Sequence, residues 1–485
     1  PEVLDRVTAL SERGLVTMGP RGWGLYELVR DRVRERWPSP DAVERHARWF
    51  GRGADALLDG TVGPRLTRAM GELRAAWGRE LPPELAGPIG VSMLVVAANH
   101  APRAAALKIA DQVLAGELTP ALRANAHAMA ADIHLFLGHT EQALALVHAG
   151  LPFAHDVDRE LHLRSLGVRA CRIGGRMDEA VAELEQMAPL AARASPLMIA
   201  WYHRLAGEVD WLRGDAASAE AHYRKGLPLA DPAARSALTS LLATVLRTRG
   251  DHDEARRLYD EALSPTVTAR NEVVHRFHLA VLERTVGHLD RASALLDRVE
   301  HLHRHLGNDT GLLLVQTERA LVAEQQGSYD EAEQGLLSLL NGAPLHPSQT
   351  WSWTALGLVR IRAGRLAAAR HPLDRAAELA RAGGLGSVGA GIADLGALLD
   401  AADGALDAAR ATLQATEPTL AGYGPAPLAV HAAVAATIEA RWGDPQRAAE
   451  HLRRAERLAP PPREPLSEIA RWLAFARDPA GRVGE

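Results

Sequence analysis

The sequence predicts an all-α protein in which helical hairpins stack into a superhelical solenoid. The first observation is a repeated turn, in which Gly is followed five residues later by Ala and four residues after that by an apolar side chain. The glycines of this turn are Gly138, Gly175, Gly214, Gly250, Gly287, Gly327, Gly364, Gly404 and Gly443. They stand about 36 to 40 residues apart, which is the period of helical-hairpin repeats. The second observation is composition: 47% of the residues are hydrophobic and 4% are aromatic, so closely packed helices rich in Ala and Leu must form the core.

Each position of the repeat has a structural reason. The Gly takes the left-handed backbone conformation that ends the first helix of a pair, and the Ala lets the two helices approach closely. Seven residues before each Gly, where the helices are expected to cross, another small or apolar residue occurs. These residues are Ala131, Val168, Gly207, Ala243, Ala280, Ala320, Gly357, Ala397 and Ala436.

The repeats resemble tetratricopeptide repeats (TPRs), whose pattern is Trp-x-x-Leu-Gly-x-x-Tyr, then Ala-x-x-x-Phe, then Pro. One repeat has the first half of this pattern and the Ala that follows, at Trp353, Leu356, Gly357, Ala369 and Leu373. Another has the second half, at Gly443, Ala448, Leu452, Ala455 and Pro460. The period is longer than the usual length of about 34 residues. In this respect the array resembles the loose repeats in the sensor domains of bacterial signalling ATPases.

Residues 1–37 do not follow the repeat. Apolar side chains share one face over residues 2–13, which predicts a helix. Two short apolar segments, at residues 15–18 and 23–26, flank a Gly- and Pro-containing turn and predict a β-hairpin. A second helix is expected over residues 27–37.

This order of helix, hairpin and helix resembles the end of the winged-helix domain that closes the nucleotide-binding module of STAND (NB-ARC-type) ATPases. The matching residues are Leu10, Gly14, Leu15, Val16, Leu25, Leu28, Val29 and Arg30. The resemblance implies that residues 1–37 are the C-terminal part of a winged helix that makes intramolecular contacts and does not bind DNA. The alternative is a helical cap with an additional hairpin. Because the chain begins with Pro1 and not Met, we expect it to be part of a longer protein.

The rest of the chain divides into three parts. Residues 38–121 are expected to form a helical linker that ends in a degenerate first repeat. Its helices are expected at residues 41–58, 65–81, 84–99 and 102–115. Residues 122–462 hold nine TPR-like repeats, and residues 463–485 hold a capping helix and a tail. A cap is expected because the open end of a solenoid would expose an apolar face.

Composition argues against several classes of partner and compartment. The net charge of −5 and the pI near 6.5 give no support to nucleic acid or an anionic membrane as the main partner. Cys171 is the single cysteine and cannot form an internal disulfide, so a reducing cytoplasm is the simplest compartment. The longest apolar run, residues 91–98, is too short to cross a bilayer. We therefore expect a soluble cytoplasmic protein.

No catalytic or cofactor-binding pattern fits its context. Residues 384–389 have the letters of a dinucleotide fingerprint, but a helix precedes them where a strand is required, so we expect a loop between repeats. No P-loop is present, and any ATPase activity would belong to a nucleotide-binding domain outside this chain. His301, His303 and His305 have the spacing of metal ligands, yet a solvated helix end is favoured because no further ligand is near in sequence. Cys171 is expected to be a small core residue. We expect no catalytic residue, metal or cofactor.

The candidate binding surface is the concave face of the superhelix. By resemblance to TPR arrays, the lining positions fall 13, 10, 6, 3 and 2 residues before each turn Gly. Candidate residues at these positions are Arg169, Arg172, Trp201, Arg204, Glu208, Trp211, Arg247, Phe277, Arg284, Trp351 and Arg362. Guanidinium groups pair with carboxylates or phosphates, and aromatic rings supply contact area, so the set suits an anionic ligand or an acidic peptide. The alternative is that each residue makes only contacts between repeats or with solvent.

The leading hypothesis is a non-catalytic sensor that regulates an upstream STAND-type ATPase or transcriptional regulator, of the actinobacterial type. A protein or peptide, or a small anionic ligand, would bind the concave face, with residues 1–37 as the joint to the ATPase. This segment itself is not expected to contact nucleic acid or a membrane. The alternative is a freestanding TPR adaptor that binds a peptide or helix of a partner protein. An enzyme is least favoured, because no cluster of titratable residues converges.

Overall fold

The structure, a computed structural model, describes nine segments of the chain. They are residues 16–19, 22–25, 40–51, 70–77, 81–263, 269–341, 349–383, 385–459 and 464–477. Apart from one β-hairpin, the regular structure in these segments is helical, as the sequence predicts. None of the described helices is both long and apolar enough to cross a membrane.

Two short strands pair at the place where the sequence predicts a hairpin. Strand β1 (Val16–Gly19) runs antiparallel to β2 (Gly22–Leu25), with Val16 opposite Leu25. The helices predicted on either side, over residues 2–13 and 27–37, lie outside the described residues. Two strands alone do not support the winged-helix assignment, which therefore remains a prediction.

Four described helices lie between the hairpin and the repeats. They are α1 (Pro40–Gly51), α2 (Met70–Trp77), α3 (Pro83–His100) and α4 (Arg103–Leu114). The helix α3 packs against each of the other three. Trp77 fits closely on it, because a Cβ added at Gly90 would lie 1.9 Å from the indole ring. The remaining parts of the helices predicted over residues 41–58 and 65–81 lie outside the described residues.

Nine helix pairs follow in the described part of the chain, one for each turn Gly. The pairs are α5 (Pro120–Phe136) and α6 (Thr140–Gly150), α7 (Val157–Ile173) and α8 (Met177–Ala191), α9 (Pro196–Leu212) and α10 (Ala216–Gly226), α11 (Pro232–Arg249) and α12 (His252–Ala262), α13 (Ala269–Val286) and α14 (Leu289–Leu306), α15 (Asp309–Gln325) and α16 (Tyr329–Leu340), α17 (Thr350–Arg362) and α18 (Leu366–Ala382), α19 (Gly386–Ala402) and α20 (Leu406–Tyr423), and α21 (Pro425–Trp442) and α22 (Pro445–Leu458). Short 3₁₀ turns at Leu151–Phe153 and Leu227–Leu229 follow α6 and α10.

The turn glycines have the predicted left-handed conformation at eight of the nine turns, from Gly138 to Gly404, with φ between 76° and 96°. At Gly443 the prediction is wrong, since its φ is −122°. Gly occurs at this turn because a side chain would not fit, since a Cβ would lie 2.0 Å from Oε2 of Glu439. That oxygen accepts a hydrogen bond of 2.9 Å from the backbone N–H of Asp444, which caps the start of the next helix.

The helices of a pair cross at the small residues that the sequence indicates. A Cβ at Gly207 would lie 2.5 Å from the ring of Tyr223, and one at Gly357 would lie 2.4 Å from the side chain of Leu373. The Ala that follows the turn Gly, for example Ala143, has 0% exposed surface. Close approach at these positions buries the apolar faces of both helices.

The superhelix is tight enough for its successive turns to touch. Gly175 lies against Ala382, at the end of the hairpin five repeats further on. The same relation joins the turn at Gly214 to Tyr423, whose hydroxyl donates a hydrogen bond of 2.9 Å to the carbonyl of Leu212. The concave face is therefore partly enclosed by the chain itself.

The last helix, α23 (Glu468–Arg477), caps the array and also joins two turns of the superhelix. It packs on α21 and α22, as expected for a cap, and on α13 of the preceding turn. Nη1 of Arg471 donates to Oε2 of Glu324 at 2.6 Å, a pair 147 residues apart in the chain. The guanidinium of Arg362 lies 4.7 Å from the ring centre of Trp472. The predicted cap is thus also a bridge across the superhelix.

The Gly-rich segment between repeats is largely helical, so the prediction of a loop over residues 384–389 is wrong. Helix α19 already begins at Gly386. The reason is the apolar pattern that follows, because Ile392, Leu395 and Leu398 are all buried on one side of this helix. Gly391, four residues before Leu395 on the same side of the helix, leaves open space, since a Cβ there would meet no atom within 4 Å.

The prediction of three solvated histidines at the end of α14 is wrong for His303. His301 and His305 are exposed, but His303 is 5% exposed. Its ring packs against Gly311, where a Cβ would lie 2.0 Å from the ring carbon Cε1. Burial lowers the pKa of His303 to about 4, so this side chain is neutral at neutral pH.

Candidate ligand-binding cavity

A cavity of about 550 Å³ lies on the concave face, inside the superhelix. Its wall comes mainly from the first helices of the repeats, α9, α11, α13, α15, α17, α19 and α21, together with α23 and the end of α20. The aromatic side chains of the wall are Trp211, Phe277, Trp351, Tyr423 and Trp472. The volume is typical of small-molecule sites. Since helices from the middle and the end of the array face each other here, the cavity depends on the closure of the superhelix.

The structure places the predicted binding residues in three locations. Five of them line the cavity: Trp211, Arg247, Phe277, Arg284 and Trp351. Five others lie in a separate group outside it: Arg169, Arg172, Trp201, Arg204 and Glu208. Arg362 lies beneath α23 and is 1% exposed. A role of any of them in binding remains a prediction.

Arg284 is the centre of a buried polar network on the cavity wall. Its Nε donates to Oε2 of Glu318 at 2.7 Å, and the two side chains are 6% and 2% exposed. The indole N–H of Trp351 donates to the other oxygen of Glu318 at 2.9 Å, and Glu468 of α23 lies 3.7 Å from the guanidinium. Burial opposes the charge of Arg284, but Glu318 and Glu468 outweigh it and raise the pKa of the guanidinium. The protein itself therefore neutralises this cation.

A second polar group on the wall was not among the predicted residues. Nδ1 of His431 is 2.8 Å from Oδ2 of Asp394, and the hydroxyl of Thr416 donates to Oδ1 at 2.5 Å. Asp394 lies ten residues before Gly404, one of the lining positions, so the repeat register could have indicated it. His431 has no such signal. The hydrogen bonds satisfy a carboxylate that is 4% exposed.

Arg247 differs from the other arginines of the concave face, because no described carboxylate forms an ion pair with it. The others are paired: Arg169 with Asp132, Arg172 and Arg204 with Glu208, Arg284 with Glu318, and Arg362 and Arg471 with Glu324. Nε of Arg247 is buried and has no hydrogen-bond partner among the described residues. The positive charge that faces the cavity from α11 is thus uncompensated.

The separate group of predicted residues around Glu208 forms a charge network between neighbouring repeats. Arg204 donates to Glu208 at 2.8 Å, and Arg172 lies 3.2 Å from the same carboxylate. Burial favours the neutral acid, but the charges of Arg204, Arg172 and Arg169 together lower the pKa of Glu208. The ring centre of Trp201 lies 5.3 Å from the Arg204 guanidinium. These contacts connect the repeats and neutralise most of the charge of this group.

Two other candidate groups have no chemical role that the described residues support. No set of three or more His, Cys, Asp or Glu side chains in the described part of the chain could hold a metal ion. Cys171 is buried, as predicted, and burial raises the pKa of its thiol. A thiol in this environment is protonated and a poor nucleophile.

The fold and the concave cavity define a TPR-like α-solenoid. No family model matches the sequence, and no curated protein matches it. Among solved structures, a Rap protein complexed with competence and sporulation factor is 15% identical, with a TM-score of 0.55 over 74% of this chain and 99% of that chain. NprR in complex with its cognate peptide NprX is 14% identical, with a TM-score of 0.50 over 68% of this chain and 96% of that chain. At these identities the similarity shows the fold alone.

A STAND protein with a TPR sensor is also similar. This protein, from Pyrococcus horikoshii, is 14% identical and covers 77% of this chain, with 58% of its own length matched. Its TM-score of 0.41 is too low to support the STAND assignment.

Proposed function

We propose that this chain is a non-catalytic sensor whose ligand binds in the cavity inside the superhelix. The proposal rests on which helices form the wall of the cavity. The same space of about 550 Å³ is lined by α11 and α13, from the middle of the array, and by α21 and α23, from its end. A ligand there contacts segments that are far apart in the chain. Its binding therefore favours the closed superhelix over any more open arrangement.

The N-terminal helices provide a route by which ligand binding would reach an upstream module. Helix α3 packs directly on α13, one of the helices of the cavity wall. A movement of α13 would thus reach α3 without passing through the intervening repeats. We propose that the module is the STAND-type ATPase or transcriptional regulator that residues 1–37 imply, and that the ligand changes its activity through this contact.

A freestanding adaptor is the second candidate function. It is favoured by the ligands of the two compared structures, since Rap is complexed with competence and sporulation factor and NprR with its cognate peptide NprX. In that case the cavity, or the charge network around Glu208, would bind a peptide or helix of a partner protein. No nucleotide switch would be involved.

Filling the cavity tests its role. Gly391 lies on the wall, and a Cβ there meets no atom within 4 Å, so Gly391→Phe would place a ring in the cavity without a backbone clash. Gly396→Phe is the matched control, because Gly396 is in the same helix, has equally open surroundings and is not on the wall. Thermal unfolding would be measured with a panel of apolar acids, apolar alcohols and short apolar peptides.

We expect a compound of the panel to raise the Tm of the wild type and of Gly396→Phe, but not that of Gly391→Phe. A ligand at a hundred times its Kd stabilises the folded state by about 2.7 kcal/mol, which is readily measured. If each compound stabilises both variants equally, the cavity is not the binding site. ATP hydrolysis by the full-length protein, with the same compound and variants, then separates the sensor from the adaptor, because a freestanding adaptor has no ATPase activity for the compound to change.

A further inference from the structure

We propose that the ligand of the cavity is an apolar small molecule with one carboxylate, and that Arg247 binds this carboxylate. The inference rests on the proposed function of the cavity and names the chemical class of its ligand. It follows from the charge, the hydrogen bonding and the apolar surface of the wall.

Arg247 supplies the charge. The Nε of Arg247 is buried and has no hydrogen-bond partner among the described residues. The rest of the guanidinium lies at hydrogen-bonding distance from the hydroxyl of Tyr259, which is neutral. His252 and His278 add no charge at neutral pH, because burial and the charge of Arg247 lower their pKa values. A guanidinium in such surroundings gains from a ligand carboxylate, since charge-assisted hydrogen bonds are strongest where water is excluded.

The other charged groups of the wall already have partners. Glu318 accepts from Arg284 and Trp351, and Asp394 accepts from Thr416 and is in contact with His431. A cationic ligand would have to compete with these internal contacts. An anionic ligand would complete the one ion pair that the described residues leave open.

The wall offers few free donors to the carbonyl groups of a peptide backbone. The hydroxyls of Thr248, Thr285 and Thr354 donate to carbonyls of their own helices, and Trp351 and Tyr423 donate to a carboxylate and to a backbone carbonyl. None of the described lining residues is Asn or Gln. A peptide here would bury carbonyl groups without donors, which costs free energy for each, whereas a hydrocarbon chain has no such groups.

The apolar part of the wall suits a hydrocarbon chain. Val281, Leu314, Ile392, Leu395 and Val430 line the cavity together with the aromatic rings. Contact with such a surface removes apolar area of the ligand from water, which is the main source of its affinity. The carboxylate then determines the orientation of the ligand in the cavity.

The first test is a fluorescence titration with dansyl-labelled undecanoic acid, an apolar acid whose emission increases in apolar surroundings. The full chain would be titrated as wild type, Arg247→Met, Arg247→Lys and Arg249→Met. Arg249 is the matched control, since it is two residues further on, is exposed, and pairs with Glu220. We expect Arg247→Met to bind about tenfold to hundredfold more weakly, Arg247→Lys to recover part of this loss, and Arg249→Met to bind like the wild type.

Competition against the bound probe then distinguishes ligand classes. Decanoic acid and decanol share a chain length and differ in charge, and leucine tetrapeptides with free or amidated C-termini present a carboxylate, or none, on a peptide. We expect decanoic acid to displace the probe from the wild type at a concentration at least about tenfold lower than decanol. On Arg247→Met the two compounds should compete alike. Both tetrapeptides should compete more weakly than decanoic acid.

Each contrary outcome overturns a defined part of the inference. Equal binding of the probe to wild type and Arg247→Met, or equal competition by decanoic acid and decanol, overturns the role of Arg247. Stronger competition by the free tetrapeptide than by decanoic acid overturns the small-molecule class. The small-molecule class is also overturned if the probe does not bind while a peptide stabilises the wild type and Gly396→Phe but not Gly391→Phe. Both peptide outcomes leave the proposed function intact. The proposed function fails only if no compound distinguishes Gly391→Phe from Gly396→Phe.

Discussion

The substitution Arg471→Met tests whether α23 holds the superhelix closed. Nη1 of Arg471 donates to Oε2 of Glu324 at 2.6 Å, and the side chains are 6% and 2% exposed. A second Nη donates to the hydroxyl of Tyr329 at 3.2 Å. Methionine keeps much of the length and apolar surface of the arginine stem and removes both hydrogen bonds.

The expected magnitude follows from the burial of the pair. Removing one partner of a buried ion pair typically costs about 3–5 kcal/mol, because the other charge stays buried. Here Arg362 still lies 3.7 Å from the carboxylate of Glu324, so the lower end of this range applies. A loss of about 3 kcal/mol corresponds to roughly a hundredfold increase in the population with α23 detached.

Hydrogen–deuterium exchange measures that population directly, since local opening controls the exchange of the amides of α23. We expect these amides to exchange about a hundredfold faster in Arg471→Met, and the amides of α13 that face α23 to follow. Arg477→Met is the control on the same helix: its ion pair with Glu456 is solvent-exposed, at 55% and 35%, and contributes at most about 1 kcal/mol. If both variants exchange at the same rate, the buried pair does not hold α23 in place, and this account of the closure is refuted.

Two further predictions concern stability. His275 is 2% exposed, lies 2.7 Å from the hydroxyl of Ser236, and has a pKa lowered to about 4 by burial. When the pH falls through 6.5, the unfolded chain gains this proton first, so stability is lost between pH 6.5 and about 4. His275→Gln should reduce the loss between about pH 7 and about pH 5 by about 2 kcal/mol in urea unfolding, and an unchanged loss would show that His275 does not carry it. Gly207→Ala should destabilise by about 1–3 kcal/mol because its Cβ would meet the Tyr223 ring, whereas Gly335→Ala, in open space, should be neutral or stabilising; equal effects would contradict the close crossing.

The repeated turn made the helices predictable, because each one depends on residues close in sequence. Gly250 and Ala255 indicate where α11 ends and where α12 packs against it, and the structure has φ of 94° at Gly250 and 0% exposure at Ala255. Where local signals were weak the predictions were less accurate. The glycines before Ile392 suggested a loop, although the buried face of α19 favours a helix.

The cavity was only partly predictable, because it depends on contacts between distant segments. The repeat register identified Trp211, Phe277 and Trp351 on the wall, since first helices line the concave face of such arrays. It could not identify Trp472, whose place on the wall results from the contact of α23 with an earlier turn of the superhelix. Nor could it show that Arg247 would differ from its paired neighbours, because ion pairs between repeats depend on side-chain geometry.

The most direct test of the central claim is hydrogen–deuterium exchange of the full chain with and without the panel compound that raises its Tm most. The cavity predicts that protection increases together in three separate segments, at residues 240–248, 277–286 and 467–472, each of which contains residues of its wall. Protection confined to residues 169–208, where Arg169, Arg204 and Glu208 lie, would instead place the ligand at the charge network outside the cavity. That result would contradict the account.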